Sequence, residues 1–109
     1  MPENIKILVI RFSSIGDIIL TTPVIRCLRS QLNAEIDFLT KAAYKQLLVS
    51  NPNINEVISL EQHKNYMLKA LRSKKYNFVI DLQNNFRSFK LRLMLGVKSY
   101  TFSKDTFKH

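Results

Sequence analysis

Ile7-Leu8-Val9-Ile10 is apolar at every position, and that run limits the fold more than any other stretch of the chain. A strand with one wet face alternates apolar and polar residues. A strand apolar throughout is buried on both faces, as in a parallel sheet covered by helices on each side. The first strand is therefore expected over residues 5–10. It gives way to Arg11-Phe12-Ser13-Ser14-Ile15-Gly16-Asp17, a small and polar stretch, and then to helical spacing. A strand that stops at Arg11 and a helix that begins near Asp17 put a tight turn at the carboxyl end of a strand, where open α/β sheets bind ligands. Gly16 is expected there to take a backbone conformation closed to other residues and to let a ligand come close.

The rest of the chain repeats the strand-helix alternation. A helix is expected to reach about Leu32, with Ile18, Ile19, Val24, Ile25, Leu28 and Leu32 as its apolar face. Pro23 either kinks it or stands as the first position of a helix that starts late, with Thr22 as cap. Further strands are expected over 35–40, 56–60, 76–82 and 97–102. The helices between them are expected over 41–50 (Tyr44, Leu47 and Leu48 inward), 63–75 (Tyr66, Met67, Ala70 and Leu71 on one side) and 84–95. Gly96 ends the last of these, and Asn51-Pro52-Asn53 marks a turn. Strands alternating with helices in one short chain mean a parallel sheet with crossover connections. The fold class is thus α/β, a Rossmann-like doubly wound sheet of about five strands. At 109 residues it forms a single domain over 1–109. Residues 103–109 are too short and polar for a closing helix, so the chain is expected to be part of something longer.

Charge is distributed unevenly. The total is +9, yet Lys6, Arg11, Arg26 and Arg29 are balanced within residues 1–40 by Glu3, Asp17, Glu35 and Asp37. The whole excess therefore lies in residues 41–109. Such a field suits an anionic partner: nucleic acid, a phosphorylated or carboxylated substrate, or an acidic membrane surface. Nucleic acid is disfavoured, because most aromatics of the basic half (Tyr66, Tyr76, Phe86, Phe89, Tyr100, Phe102) are read as core-facing and no RRM, KH or helix-turn-helix pattern is present. No apolar run approaches the roughly 18 residues of a membrane helix, and the start has no signal-peptide layout. Cys27, the single cysteine, has no partner for a disulfide or a metal and is placed in the core. A reduced, cytoplasmic setting is expected.

Two clusters carry the chemistry. Asp17 is either a helix cap or a carboxylate able to take a proton from a hydroxyl nucleophile. Ser13 and Ser14 offer hydroxyls and N–H groups beside it. The turn lacks the three glycines of a dinucleotide fingerprint and the Gly-Lys-Ser/Thr of a P-loop. The second cluster, Asp81-Leu82-Gln83-Asn84-Asn85-Phe86-Arg87-Ser88, ends the fourth strand and should rise on the same sheet edge. Arg87 can grip a carboxylate or phosphate with both nitrogens, with Lys90 and Arg92 following on the same helix. Alternatively Asp81 and Asn84 are turn and cap residues, and the cations are solvated. Neither His63 nor His109 is placed in a catalytic role, and no metal-ligand cluster or nucleophilic triad can be assembled.

The Arg11–Asp17 stretch, Thr21-Thr22-Pro23 and the run from Val79 to Ser88 together resemble the ADP-heptose:lipopolysaccharide heptosyltransferase family, along essentially the whole chain. The resemblance implies the amino-terminal, acceptor-side half of a two-domain glycosyltransferase of the GT-B type. Asp17 is then the base that activates the acceptor hydroxyl, in a transfer that inverts the heptose anomeric centre without a metal or other cofactor. Ser13, Ser14, Gly16, Gln83, Arg87 and Lys90 are the expected acceptor-binding residues. The acceptor implied is an acidic lipopolysaccharide precursor of the Kdo-lipid A type, which suits the basic half and leaves contact with the inner face of the inner membrane open. ADP-heptose as donor would be held mainly by a second domain absent from these 109 residues, so little transfer is expected from the chain alone. Some members carry a histidine where this chain has Leu20, which blurs the subfamily. The competing reading is a non-catalytic α/β module that binds an anionic partner through its basic half.

Overall fold

The computed structural model describes residues 5–61 and 64–101 of the chain. Its first strand, β1 (Lys6–Ile10), sends Ile7 and Val9 into one apolar core and Leu8 and Ile10 into another. All four residues are essentially without exposed surface. A strand that feeds two cores must lie in the middle of a sheet, and it does. β1 pairs in parallel with β2 (Glu35–Thr40) on one side and with β4 (Phe78–Asp81) on the other. β3 (Glu56–Ser59) and β5 (Ser99–Thr101) are the edges, giving the order β3-β2-β1-β4-β5 with every pairing parallel.

The helices divide between the two faces. α1 (Ile15–Leu20), α2 (Thr22–Leu32) and α3 (Lys45–Leu48) contribute Ile18, Ile25 and Leu48 to the core that holds Ile7, Val9, Ile36 and Phe38. α4 (Lys64–Ser73) and α5 (Phe86–Leu95) contribute Met67, Leu71 and Leu91 to the core that holds Leu8, Ile10, Leu39 and Val79. A single 3-10 turn, Ala42–Tyr44, leads into α3. The chain builds outward from β1 to β3, crosses back beside β1 as β4, and then builds the other way. The order therefore reverses between β1 and β4, and a crevice forms outside their carboxyl ends.

The expected strands and helices are all present, with ends shifted by a few residues. The expected start of the helix at His63 and end of the last strand at Phe102 lie outside the described residues. Pro23 resolves in favour of a late-starting helix. α1 begins at Ile15 rather than near Asp17 and closes at Thr21, whose hydroxyl and N–H both donate to the Ile18 carbonyl. α2 restarts with Thr21 as cap, one residue earlier than expected, and Pro23 sits in its first turn, where a missing N–H costs nothing. Gly96 ends α5 in a left-handed conformation with φ 68°.

Several side chains face away from where spacing put them. Ile19 and Leu32 are exposed, and Cys27 is exposed rather than core. α2 buries Ile25 with Leu28 half-buried beside it, and Cys27, two positions from Ile25, turns to the opposite side. Leu47 is exposed because the short α3 turns only Leu48 inward. On α4, Met67 and Leu71 take the buried stripe and Tyr66 is 70% exposed. Among the described aromatics of the basic half, only Tyr76 is buried; Phe86, Phe89 and Tyr100 are exposed, contrary to their expected core positions. Tyr76 donates its hydroxyl to the largely buried Asp37, 2.7 Å away, and burial with this contact pushes the phenol well above its ordinary pKa. Lys74 pairs with Asp37 and Glu56 nearby, and these carboxylates raise its own pKa.

Burial sets the expected cost of substitution. Leu8→Ala should lower stability by about 2–5 kcal/mol through lost apolar contact and the cavity left behind. Leu20→Ala, at a site 72% exposed, should stay within about 0.5 kcal/mol. Urea unfolding of the two variants checks the contrast.

Candidate active site

The crevice at the β1–β4 reversal is lined by two connections, one after each strand. They are tied together by groups the chain itself supplies. Leu82 and Gln83 donate their N–H groups to the Ile10 carbonyl, at 2.9 and 3.1 Å. The Gln83 side-chain oxygen accepts from the N–H groups of Phe12 and Ser13, at 2.9 and 3.3 Å. Arg11 spans the gap in the other direction, one guanidinium nitrogen donating to the Leu82 carbonyl.

The other end of the same guanidinium lies 2.8 Å from Asp17 Oδ2. Ser14, the cap residue of α1, donates its hydroxyl to that oxygen at 3.0 Å and its N–H at 3.4 Å. Asp17 is thus the third residue of a helix that it helps to cap, as one expectation had it. The position leaves it half-exposed at the mouth of the crevice. Its contacts among the described residues fall on Oδ2, and Oδ1 takes no hydrogen bond from them. The Ser14 hydroxyl first, and then the Arg11 guanidinium, hold the carboxyl below its ordinary pKa. Asp17 is therefore ionised at neutral pH, with one oxygen committed to the protein and one open.

Gly16 does not play the conformational part expected of it. It lies inside the first turn of α1 with no left-handed φ, and a Cβ added there would meet nothing within 4 Å. Helical geometry there needs no glycine, and space remains beside the turn. The second connection is a built structure in its own right. The Asp81 carboxylate accepts from the N–H groups of Gln83 and Asn84 at 3.0 and 2.8 Å, and its other oxygen lies 2.9 Å from Arg92 Nε. Asn85, rather than Asn84, caps α5 by accepting from Ser88 N–H. Asp81 is thus a turn residue, as the alternative reading held, but Arg92 is its internal partner rather than a solvated cation. Arg87 is exposed and lies with its guanidinium 5.9 Å from the Phe12 ring centre; Lys90 lies over Phe86.

Asp17, Ser13, Ser14 and Gln83 thus lie on the two connections at one sheet edge, with Gln83 acting first as a brace for the turn. Arg87 joins them through Phe12, and Lys90 follows one turn along α5. The role of Arg11 was not seen in the sequence, although its place directly after a buried strand and six residues before the aspartate was visible. Among the described residues no three His, Cys, Asp or Glu side chains come together to hold a metal ion. No helix among them is long and apolar enough to cross a membrane.

No family model matches the chain. It is 26% identical over 110 residues to lipopolysaccharide heptosyltransferase 1 of Campylobacter coli, an alignment covering 94% of this chain and 32% of the relative. Among solved structures, Escherichia coli ADP-heptose lps heptosyltransferase II superposes with a TM-score of 0.80 at 30% identity, over 94% of this chain and 32% of that one. A glycosyl transferase family 9 protein of Veillonella parvula superposes with a TM-score of 0.81 at 27% identity, over 99% of this chain and 35% of that one. Fold and edge together define a Rossmann-like unit of the kind that builds GT-B glycosyltransferases. Within that class the chain is similar to the lipopolysaccharide heptosyltransferases, in sequence and in fold, as its two motifs implied. It spans about a third of their length.

Three measurements probe these contacts. Asp17 should titrate below its ordinary value of 3.8, and Ser14→Ala should move it upward in a carbon-detected NMR titration. Because the folded-state pKa is depressed, the stability Asp17 contributes is complete above the ordinary carboxylate range and is lost as pH falls through the depressed value. Ser14→Ala should therefore flatten the acid limb of the stability curve. Arg92→Ala, by leaving the fully buried Asp81 without its cation, should cost about 3–5 kcal/mol in denaturant unfolding.

Proposed function

We propose that this chain is the amino-terminal, acceptor-binding part of an inverting glycosyltransferase that moves a heptose from ADP-heptose to the lipopolysaccharide inner core. The observation that carries the proposal is the ionised Asp17 at the β1–β4 reversal, with Oδ1 open and Oδ2 held by Arg11 and Ser14. Similarity to lipopolysaccharide heptosyltransferases supports the choice of chemistry. Asp17 Oδ1 receives the proton of the acceptor hydroxyl as that oxygen bonds to the anomeric carbon. The bond from that carbon to the diphosphate breaks, its electron pair leaves with ADP, and attack from the opposite face inverts the centre. A carboxylate held by a guanidinium is a weak base, which suits a proton transfer that occurs late, once the hydroxyl oxygen is already bonding.

Ser13 and Ser14 border the sugar, the open space beside Gly16 admits it, and Arg87 and Lys90 meet the carboxylates or phosphates of a Kdo-lipid A type acceptor. Gln83 keeps the turn in place. The donor is bound mainly by a second domain, no metal or other cofactor is required of this part, and the setting is cytoplasmic beside the inner membrane. A second reading, a non-catalytic module for an anionic partner, draws on one observation: the capping role of Asp17 already accounts for an aspartate at that position.

Titration of a soluble Kdo-bearing acceptor into the labelled chain should shift the amide signals of Ser13, Ser14, Arg87 and Lys90. Silence at all four would remove the acceptor assignment. When the chain is followed by a donor-binding domain, Asp17→Asn should lower kcat by roughly 10²–10⁴ while leaving acceptor KM within a few-fold. Unchanged turnover would take Asp17 out of the base role and favour the module.

A further inference from the structure

Much of the charge excess noted in the sequence gathers on one layer of the fold, apart from Lys74, which pairs with Asp37 and Glu56, and Lys98, which lies over Tyr100. Between residues 64 and 101 there are nine lysines and arginines, and Asp81 is the single acid. Asp81 is buried against Arg92 and presents no charge to solvent. These residues build α4, β4, α5 and β5, and the two helices lie side by side on the same face of the sheet, the Arg72 guanidinium donating to the Met94 carbonyl. On these helices Lys69, Arg87 and Lys90 make no ion pair among the described residues.

The same layer exposes large apolar side chains. Phe86, Phe89 and Leu93 recur on α5 at helical spacing and form one stripe; Phe86 is 76% and Leu93 65% exposed. Tyr66 on α4 is also exposed. Cations accompany the rings: Lys90 over Phe86 and Arg92 over Phe89, at 5.7 and 5.2 Å from the ring centres. A polyanion alone calls for cations and leaves the aliphatic Leu93 without a role. A layer combining a basic field with an aromatic and aliphatic stripe matches the headgroup region of an anionic bilayer, which takes both.

We propose that the α4–α5 layer docks on an anionic lipid surface, with the Phe86–Phe89–Leu93 stripe entering the headgroup region. The inference rests on the proposed function only in taking the acceptor to be lipid-borne. The layer also adjoins the crevice, since Arg87 reaches from α5 over Phe12 of the β1 turn. Docking there holds the carboxyl edge of the sheet beside the membrane plane, where a lipid-borne sugar is presented.

Co-sedimentation with vesicles tests the surface. The chain should partition at least about tenfold more strongly onto equimolar phosphatidylglycerol and phosphatidylcholine than onto phosphatidylcholine alone. Phe86→Ser with Leu93→Ser should weaken that partition about tenfold at unchanged net charge, and Lys69→Glu with Lys90→Glu should do the same. Circular dichroism of each variant confirms that it is folded. No partition onto anionic vesicles, or partition indifferent to the apolar pair, would overturn the proposal; the second outcome would leave a plain polyanion surface. The soluble-acceptor titration needs no vesicle, so failure of docking and failure of the acceptor assignment are read separately.

Discussion

Everything at the candidate site depends on how the connections after β1 and β4 are joined. The two strands are neighbours in the sheet although some seventy residues separate them in the chain. Backbone pairing runs just past the end of β4, where the N–H groups of Leu82 and Gln83 both donate to the Ile10 carbonyl. Beyond that point the join is made by the Gln83 side-chain oxygen, which accepts two N–H groups of the opposite turn, and by Arg11, which reaches the Leu82 carbonyl. Unpaired backbone groups at a partly buried edge are costly, so these contacts both satisfy the backbone and set the spacing of the crevice.

Arg11 also acts, after Ser14, to hold the Asp17 carboxyl below its ordinary pKa. One guanidinium braces the far connection and fixes the carboxylate that faces the crevice, so the shape of the site and its charge share a single side chain. This also explains how Asp17 can serve two ends. Oδ2 is spent on the helix cap and on Arg11, and Oδ1 takes no hydrogen bond from the described residues. The cap and the candidate base are the same residue seen from its two oxygens.

Much of this was legible in the sequence because it depends on local rules. Four apolar residues in a row could only be a strand covered on both faces, and strand-helix alternation left a parallel sheet as the economical fold. The two motifs could be set on one edge because every strand of a parallel sheet ends on the same side. Helix faces were less legible. Ile19, Leu47, Tyr66, Phe86 and Phe89 are apolar residues at plausible spacings, yet each helix touches the sheet along a narrow stripe that its docking angle selects. Composition marks a residue as able to be buried and does not say whether a neighbour will cover it.

By itself the sequence determined the order and kind of the elements, the edge on which Asp17 and the Asp81–Ser88 cluster rise, and the half of the chain that carries the positive charge. Tertiary structure decided the rest. It made Gln83 a brace, tied Asp81 to Arg92, gave Asp17 its guanidinium partner, and left Phe86, Phe89 and Leu93 exposed among the cations of α5. Gln83 meets Phe12 and Ser13 across some seventy residues, and the nearer pairs Arg11–Asp17 and Asp81–Arg92 meet only once their turns are folded against the sheet. Such meetings are set by packing of the whole sheet, and no local pattern encodes them.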